Sequence, residues 1–257
     1  MPENLQLALI QTYVQWENIQ ENLAHFEYKI RSLNTQVDVI ILPEMFSTGF
    51  TMKPENVAET MSGKTVSWMK EMAQKTNAAI VGSVVIKSHD NFYNRLIFAT
   101  PQGNLHCYDK RHGFSLAGED KIYTSGNQLQ IITYKGWKIC PLICYDLRFP
   151  VWSRNVNNYD VLLYVANWPV PRIHAWDTLL KARAIENISY SVGVNRVGFD
   201  ENEYEFCGHS AVYDELGNTI IFSKDDTILY ATLAYDKLHA TRKKMQFLND
   251  KDEFTLT

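Results

Sequence analysis

An α/β fold in a single domain, residues 1–257, is what the sequence predicts, on three observations. Short, nearly continuous apolar runs such as residues 37–42 (Val-Asp-Val-Ile-Ile-Leu) and 159–165 have the length and composition of strands covered on both faces. These runs alternate with amphipathic stretches, as where Ile19, Leu23, Phe26, Ile30 and Leu33 recur at helical spacing. No linker, repeat or low-complexity segment divides the chain, and its 257 residues, 46% of them hydrophobic, can bury one large core. Hairpins occur as well as crossovers, so the expectation is a mixed sheet or two sheets with helices covering them.

In order, residues 5–11 read as a first strand, 18–33 as a helix and 37–42 as a second strand ending in Pro43-Glu44. Residues 46–59, rich in Ser, Thr, Gly and Pro, form a loop. Residues 64–75 are a helix with Val66, Trp68, Met69 and Met72 inward. Residues 78–86 and 92–99 are strands joined by a polar turn, hence a hairpin, and 105–108 returns as a strand running into Asp109-Lys110-Arg111-His112. After a loop over 113–126, strands are expected at 128–134 and 137–143. Pro150 then opens a helix, since proline is tolerated in a first turn. A strand at 159–165 precedes a helix at 174–187 with Trp176, Leu179, Leu180 and Ile185 on one face. Strands follow at 189–197, 210–213, 219–222 and 229–234, and a helix at 237–247 closes the pattern. Asp214-Glu-Leu-Gly217-Asn218 makes the last hairpin turn.

Composition excludes several functions. The net charge is −4, no basic run is present, and Arg242-Lys243-Lys244, only a short cationic cluster near a helix end, reads as solvated surface, so no nucleic-acid face is expected. Apolar runs fall well short of the roughly 20 residues that span a bilayer, and the N-terminal residues lack an export pattern. Four cysteines (107, 140, 144 and 207) are too few for a disulfide framework here, which favours a soluble cytoplasmic protein with reduced thiols. No glycine-rich phosphate loop is present. Cys140 and Cys144 with His106 and His112 have no zinc spacing, and Gly208-His209-Ser210-Ala211-Val212 lacks the second glycine of a serine elbow. No metal or cofactor is called for.

Three residues at strand ends complement one another. Glu44 follows 37–42, Lys110 follows 105–108 and Cys144 follows 139–143, and in layered α/β folds such ends converge on a rim where ligands bind. Any one of them alone has an ordinary explanation: a core thiol, a solvated carboxylate, a surface ammonium. Together they supply a nucleophile, a base and an oxyanion-stabilising cation. Cys144 also lies at a strand-to-helix switch, where backbone N–H groups and a helix dipole stabilise a thiolate. That set hydrolyses amides or nitriles through a thioester without a metal.

The segments Leu42-Pro43-Glu44-Met45-Phe46, Tyr108-Asp109-Lys110-Arg111-His112 and Ile143-Cys144-Tyr145-Asp146-Leu147-Arg148-Phe149-Pro150 resemble the three signatures of the nitrilase (carbon–nitrogen hydrolase) superfamily. The similarity continues through Ala166-Asn167-Trp168-Pro169 and Ala182-Arg183-Ala184-Ile185-Glu186-Asn187. The resemblance implies a four-layer αββα sandwich, a homodimer or larger homo-oligomer, Glu44 as general base, Lys110 as transition-state stabiliser and Cys144 as nucleophile. It also implies a second, substrate-positioning glutamate, for which Glu119 is the candidate and Asp120 the alternative. Cys-Tyr-Asp-Leu-Arg-Phe-Pro with Tyr-Val-Ala-Asn-Trp-Pro is most similar to the omega-amidase branch, which hydrolyses the terminal amide of 2-oxoglutaramate or 2-oxosuccinamate. N-carbamoyl amino acid hydrolysis, another aliphatic amidase activity and a catalytically silent scaffold are the rivals. A small anionic amide needs a cation: Arg148 is a candidate, or else pairs with Asp146 or Glu186. Tyr145, Trp168 and Phe114 are candidate walls of the substrate pocket, or else core.

Overall fold

The computed structural model describes residues 2–255 and arranges them as two six-stranded sheets stacked face to face. The chain runs β1 (Leu5–Gln11), α1 (Ile19–Arg31), β2 (Val39–Ile41), α2 (Lys64–Thr76), β3 (Ala79–Ser88), β4 (Asn91–Ala99) and β5 (Leu105–Asp109). It continues through a one-turn helix α3 (Glu119–Ile122), β6 (Ile132–Tyr134), β7 (Trp137–Ile143), a 3₁₀ turn (Cys144–Arg148) and a one-turn helix α4 (Pro150–Ser153). Then follow β8 (Val161–Val165), α5 (Ile173–Asn187), β9 (Tyr190–Val194), β10 (Val197–Phe199), β11 (Glu205–Cys207), β12 (Ser210–Tyr213), β13 (Thr219–Ser223), β14 (Thr227–Leu233) and α6 (Tyr235–Met245).

The first sheet has the order β14-β1-β2-β3-β4-β5 and the second β13-β12-β9-β8-β7-β6. Each is parallel at its centre, β1-β2-β3 in one and β7-β8-β9 in the other, with antiparallel strands outside. The pleat separates the two faces of the first sheet. Leu5, Leu7, Leu9, Val39, Ile41 and Val81 join Ile139, Val161, Leu163 and Val192 of the second sheet in a core between the sheets. The alternate residues Ala8, Ile10, Ile40 and Ile80 pack under Leu23, Phe26, Met69 and Met72 of α1 and α2. Trp176, Leu180 and Ala184 cover the second sheet from α5. The result is the four-layer αββα sandwich.

Four expectations are corrected. The strand expected at 128–134 is paired only over Ile132–Tyr134, at the edge of the second sheet. The strand at 189–197 breaks after Val194, because buried Asn195 spends its amide on Trp168 O (2.9 Å) and Gly208 O (2.7 Å), and the chain turns into a separate β10–β11 ribbon. Three-residue strands, one with Gly198 at φ +89°, carry no alternation that a sequence pattern reveals. In α5, Ile185 is 46% exposed, and polar Arg183 and Asn187 take the inner face instead, bonded to Leu147 O and Asn155 N. Arg242 is half-buried against Asp160 (2.8 Å) rather than solvated.

Candidate active site

Strand ends of both sheets meet at one point. Glu44 follows β2, Lys110 follows β5 and Cys144 follows β7, and the loop before α3 brings Glu119 to the same place. All four side chains are buried. Lys110 Nζ donates to Glu44 Oε1 (2.9 Å) and to both oxygens of Glu119 (3.0 and 2.8 Å). Glu119 also accepts from Phe114 N (2.6 Å), while Asp120 is exposed, so the inward carboxylate of this loop is Glu119. Gly126 closes the loop behind the lysine: its N–H donates to Lys110 O (2.9 Å), and a Cβ there would stand 2.2 Å from Asp109 O.

Two asparagines hold the carboxylates. Asn94 of β4 gives one amide group to both Glu44 Oε1 (2.8 Å) and Glu119 Oε1 (3.3 Å). Asn167 donates its backbone N–H to Glu44 Oε2 (2.8 Å) and its side-chain amide to Glu44 O (2.6 Å), and its carbonyl accepts from the Cys144 thiol (3.9 Å). Glu44 therefore has a donor on each oxygen and one fixed orientation.

The thiol sits on a strained corner. Cys144 has φ +43°, a left-handed backbone that costs an L-residue about 1–2 kcal/mol. Asp146 pins the corner from behind. It accepts from Ile143 N (3.0 Å), Tyr108 OH (2.8 Å), His112 N (3.0 Å) and His112 Nδ1 (2.8 Å), and His112 in turn stacks on Phe149 (centroids 3.7 Å apart, planes at 5°).

The electrostatics run against the expected stabilisation of a thiolate. Burial pushes the Cys144 thiol well up, the Glu44 carboxylate adds to the rise, and the Lys110 ammonium only opposes it. The direction of that shift favours the protonated thiol over the thiolate. No long helix begins behind it, only the 3₁₀ turn and the single turn of α4, so the dipole that would stabilise a resting thiolate is missing. Burial disfavours the Lys110 ammonium, yet Glu119 and Glu44 outweigh it and hold that group well above the usual lysine range. Glu119 is pushed up by burial, with Lys110 opposing.

Cys144 and Lys110 open onto a cavity of about 540 Å³ whose walls include Phe114, Tyr145, Arg148 and Trp168. Of the five residues expected around a substrate, these four line the cavity, and Glu119 does not. Arg148 pairs with neither expected carboxylate: Asp146 is filled as described, and Glu186 receives Arg183 (3.0 Å). Its guanidinium lies 5.1 Å over the Trp168 ring. The weaker constellations stay apart from this chemistry: the Ser210 hydroxyl donates to Asn195 O (3.3 Å), and Cys140 is fully buried in the inter-sheet core. Among the described residues no group of three or more His, Cys, Asp or Glu is gathered for a metal, and no helix is long and apolar enough to cross a membrane.

A buried thiol, two carboxylates and one ammonium thus meet at one point of an αββα sandwich, three of them at strand ends. The carbon-nitrogen hydrolase family pattern matches residues 6–243, and the chain belongs to that family; it is an enzyme that hydrolyses C–N amide bonds. Similar proteins include the omega-amidase YafV of Escherichia coli (strain K12), 44% identical with 98% of both chains covered, and that of Yersinia enterocolitica, 43% identical with the same coverage. The 2-oxoglutaramate amidase of Bacillus subtilis (strain 168) is 30% identical over 95% of this chain and 96% of its own. Among solved structures, XC1258 from Xanthomonas campestris, described as a CN-hydrolase superfamily protein with an arsenic adduct in its active site, has a TM-score of 0.97 at 39% identity over 99% of both chains.

Proposed function

We infer that the protein is an omega-amidase, hydrolysing the terminal amide of short 2-oxo dicarboxylic acid monoamides such as 2-oxoglutaramate and 2-oxosuccinamate. The observation that carries this reading is a buried Glu44–Lys110–Glu119 set beside Cys144, where Lys110 and Cys144 face a cavity that also holds the guanidinium of Arg148, which has no protein acceptor. Omega-amidase and 2-oxoglutaramate amidase relatives covering nearly the whole chain support it.

In the proposed sequence, Cys144 Sγ attacks the amide carbon as Glu44 takes the thiol proton. Burial and Glu44 favour the protonated thiol, so this transfer is assigned to the attack itself. The oxyanion is received by the Lys110 ammonium and by the Tyr145 N–H, an opening N–H group of the 3₁₀ turn that has no acceptor within that turn. Protonated Glu44 gives its proton to the nitrogen, the C–N bond breaks and ammonia leaves a Cys144 thioester. Water then attacks the thioester carbon and gives its proton to Glu44. The C–S bond breaks, and the departing sulfur recovers the proton. Glu119 keeps the ammonium aimed at the reacting oxygen by accepting from it with both carboxylate oxygens. Arg148 receives the substrate's carboxylate, with Trp168, Tyr145 and Phe114 as walls.

Steady-state rates on 2-oxoglutaramate, glutamine, an N-carbamoyl amino acid and a nitrile test the assignment. The 2-oxo acid amide is expected to have the highest kcat/KM, and a large margin for the carbamoyl compound would replace this reading with an N-carbamoyl amino acid hydrolase. We place the enzyme in the cytoplasm, where its four unpaired cysteines stay reduced. We expect a homodimer or larger homo-oligomer, and sedimentation at micromolar concentration measures that state directly.

A further inference from the structure

The chain has nine arginines, and seven of them donate guanidinium hydrogen bonds to protein acceptors: Arg31, Arg95, Arg111, Arg154, Arg183, Arg196 and Arg242. Among the described residues, the two whose guanidinium groups find no acceptor are Arg148 and Arg172, and both line the cavity that contains Cys144. Both are half-buried. The guanidinium carbon of each stands over an aromatic ring, Arg148 over Trp168 (5.1 Å) and Arg172 over Phe114 (4.9 Å). A cation–π contact restrains a guanidinium without using its N–H groups, which stay available for planar oxygen acceptors.

Arg172 is built in rather than adrift. It immediately precedes α5, its N–H donates to Pro169 O (3.1 Å), and its carbonyl accepts from Trp168 Nε1 (2.7 Å). The ring that carries Arg148 is thus tied to the backbone of Arg172, and the ring that carries Arg172 belongs to the residue whose N–H is held by Glu119. The cavity rim also carries Glu17, Asp200 and Glu201, but none makes an ion pair with either guanidinium. Glu17 accepts from the Thr51 hydroxyl, and Asp200 from the N–H groups of Asn202 and Tyr204.

We propose that Arg172 is a specificity-determining residue, the second half of a two-guanidinium site that takes the 2-oxo carboxylate head of the substrate. This rests on the omega-amidase reading above. A 2-oxo acid head offers three coplanar oxygens, two of carboxylate and one of ketone, enough acceptors for two forks. A 2-amino acid head replaces the ketone oxygen with an ammonium, which places a third cation beside two others. The second guanidinium therefore selects 2-oxoglutaramate over glutamine, which one carboxylate-binding arginine alone would not do.

The test compares the full-length wild type with Arg172→Met and Arg172→Lys on 2-oxoglutaramate, succinamate, glutamine and neutral butyramide. Losing a charge-assisted contact corresponds to a rise in KM of about thirty-fold for 2-oxoglutaramate in the Met variant, with kcat changed by less than about three-fold. Succinamate, lacking the ketone, is expected to lose less, butyramide nothing, and the Lys variant to recover part of the loss. Calorimetric titration with 2-oxoglutarate, read without turnover, is expected to weaken about as much in Arg172→Met. Unchanged KM and unchanged 2-oxoglutarate binding in that variant overturn the role of Arg172 while leaving the amidase reading intact. An equal loss on butyramide reduces Arg172 to a structural residue. A wild type that neither turns over 2-oxoglutaramate nor binds 2-oxoglutarate removes both proposals.

Discussion

The floor and the mouth of the cavity treat charge in opposite ways. At the floor, the Lys110 ammonium, the two carboxylates facing it and the asparagines between them are joined by hydrogen bonds of 2.8 to 3.3 Å, and nothing charged is left without a partner. At the mouth, two guanidiniums rest on rings with no anion against them. A compensated cluster buried away from water is held in one geometry and does the same chemistry on every substrate. Uncompensated cations beside a cavity wait for a ligand that brings the anion. Damage to the floor should therefore fall on kcat, and damage to the mouth on KM.

The largest expected effect is at the sulfur. Cys144→Ala removes the nucleophile, and ammonia release should fall by about four orders of magnitude or more, with circular dichroism and melting temperature near wild type. Residual turnover within tenfold of wild type would end the thioester mechanism. Glu44→Gln keeps the shape and the acceptor toward Lys110 but cannot take the thiol proton. A fall in kcat of about 10²–10⁴-fold with little change in KM is the expected result, read by steady-state kinetics.

The pH dependence distinguishes the floor from an ordinary reactive thiol. The competent form has a neutral thiol, a charged Lys110 and an ionised Glu119 that holds it. Burial and Glu44 raise Cys144, and the two carboxylates raise Lys110, so both keep their protons to higher pH than the free groups. Activity should therefore hold through the region where free cysteine titrates, about pH 8.5, and fall only above it. On the acid side burial raises Glu119, so activity should be lost at a pH above the ordinary carboxylate value of about 4.3. Iodoacetamide alkylation of the substrate-free enzyme should likewise accelerate only above pH 8.5. A midpoint near pH 6 would restore the resting thiolate that the strand-to-helix switch suggests.

The sequence makes the floor more legible than the mouth, for a physical reason. Glu44, Lys110 and Cys144 each stand one to three residues past an apolar strand, and strand ends converge in any layered α/β fold. Their supporters are less visible. Asn94 sits within the alternating strand β4, where a polar residue reads as facing solvent, and only the pairing of β4 with β3 and β5 turns it inward. Asn167 carries a better signal, a polar side chain directly after the buried run of β8. Arg172 belongs to a turn between β8 and α5 and shows no periodicity at all. Its meaning comes from the ring it covers and from the acceptors it lacks, and both are tertiary facts. The β10–β11 ribbon is hidden for a similar reason, its strands being too short for a pattern.

Arg148→Met sharpens the contrast at the mouth. Because no protein carboxylate depends on Arg148, its removal strands no buried anion, and the fold should be unaffected. KM for 2-oxoglutaramate should rise about ten- to hundred-fold with kcat nearly constant, while a neutral amide should respond little. An equal fall in kcat on both substrates would place Arg148 with the floor.

Asn94→Ala gives the smallest expected effect and the sharpest test of how the floor works. Asn94 is uncharged and does not line the cavity, yet its amide bridges two carboxylates that repel one another. Without it, each loses a donor, and Glu44 keeps Lys110 on one oxygen and the Asn167 N–H on the other. The base is therefore loosened rather than lost. A fall in kcat of about tenfold, an unchanged KM and an upward shift of the acid limb should appear together, because Glu119, already raised by burial, loses a donor to its ionised form. Asn94→Asp should be worse than Ala, since it places a third carboxylate beside two. Were Asp to outperform Ala, Asn94 would be filling space rather than holding charge.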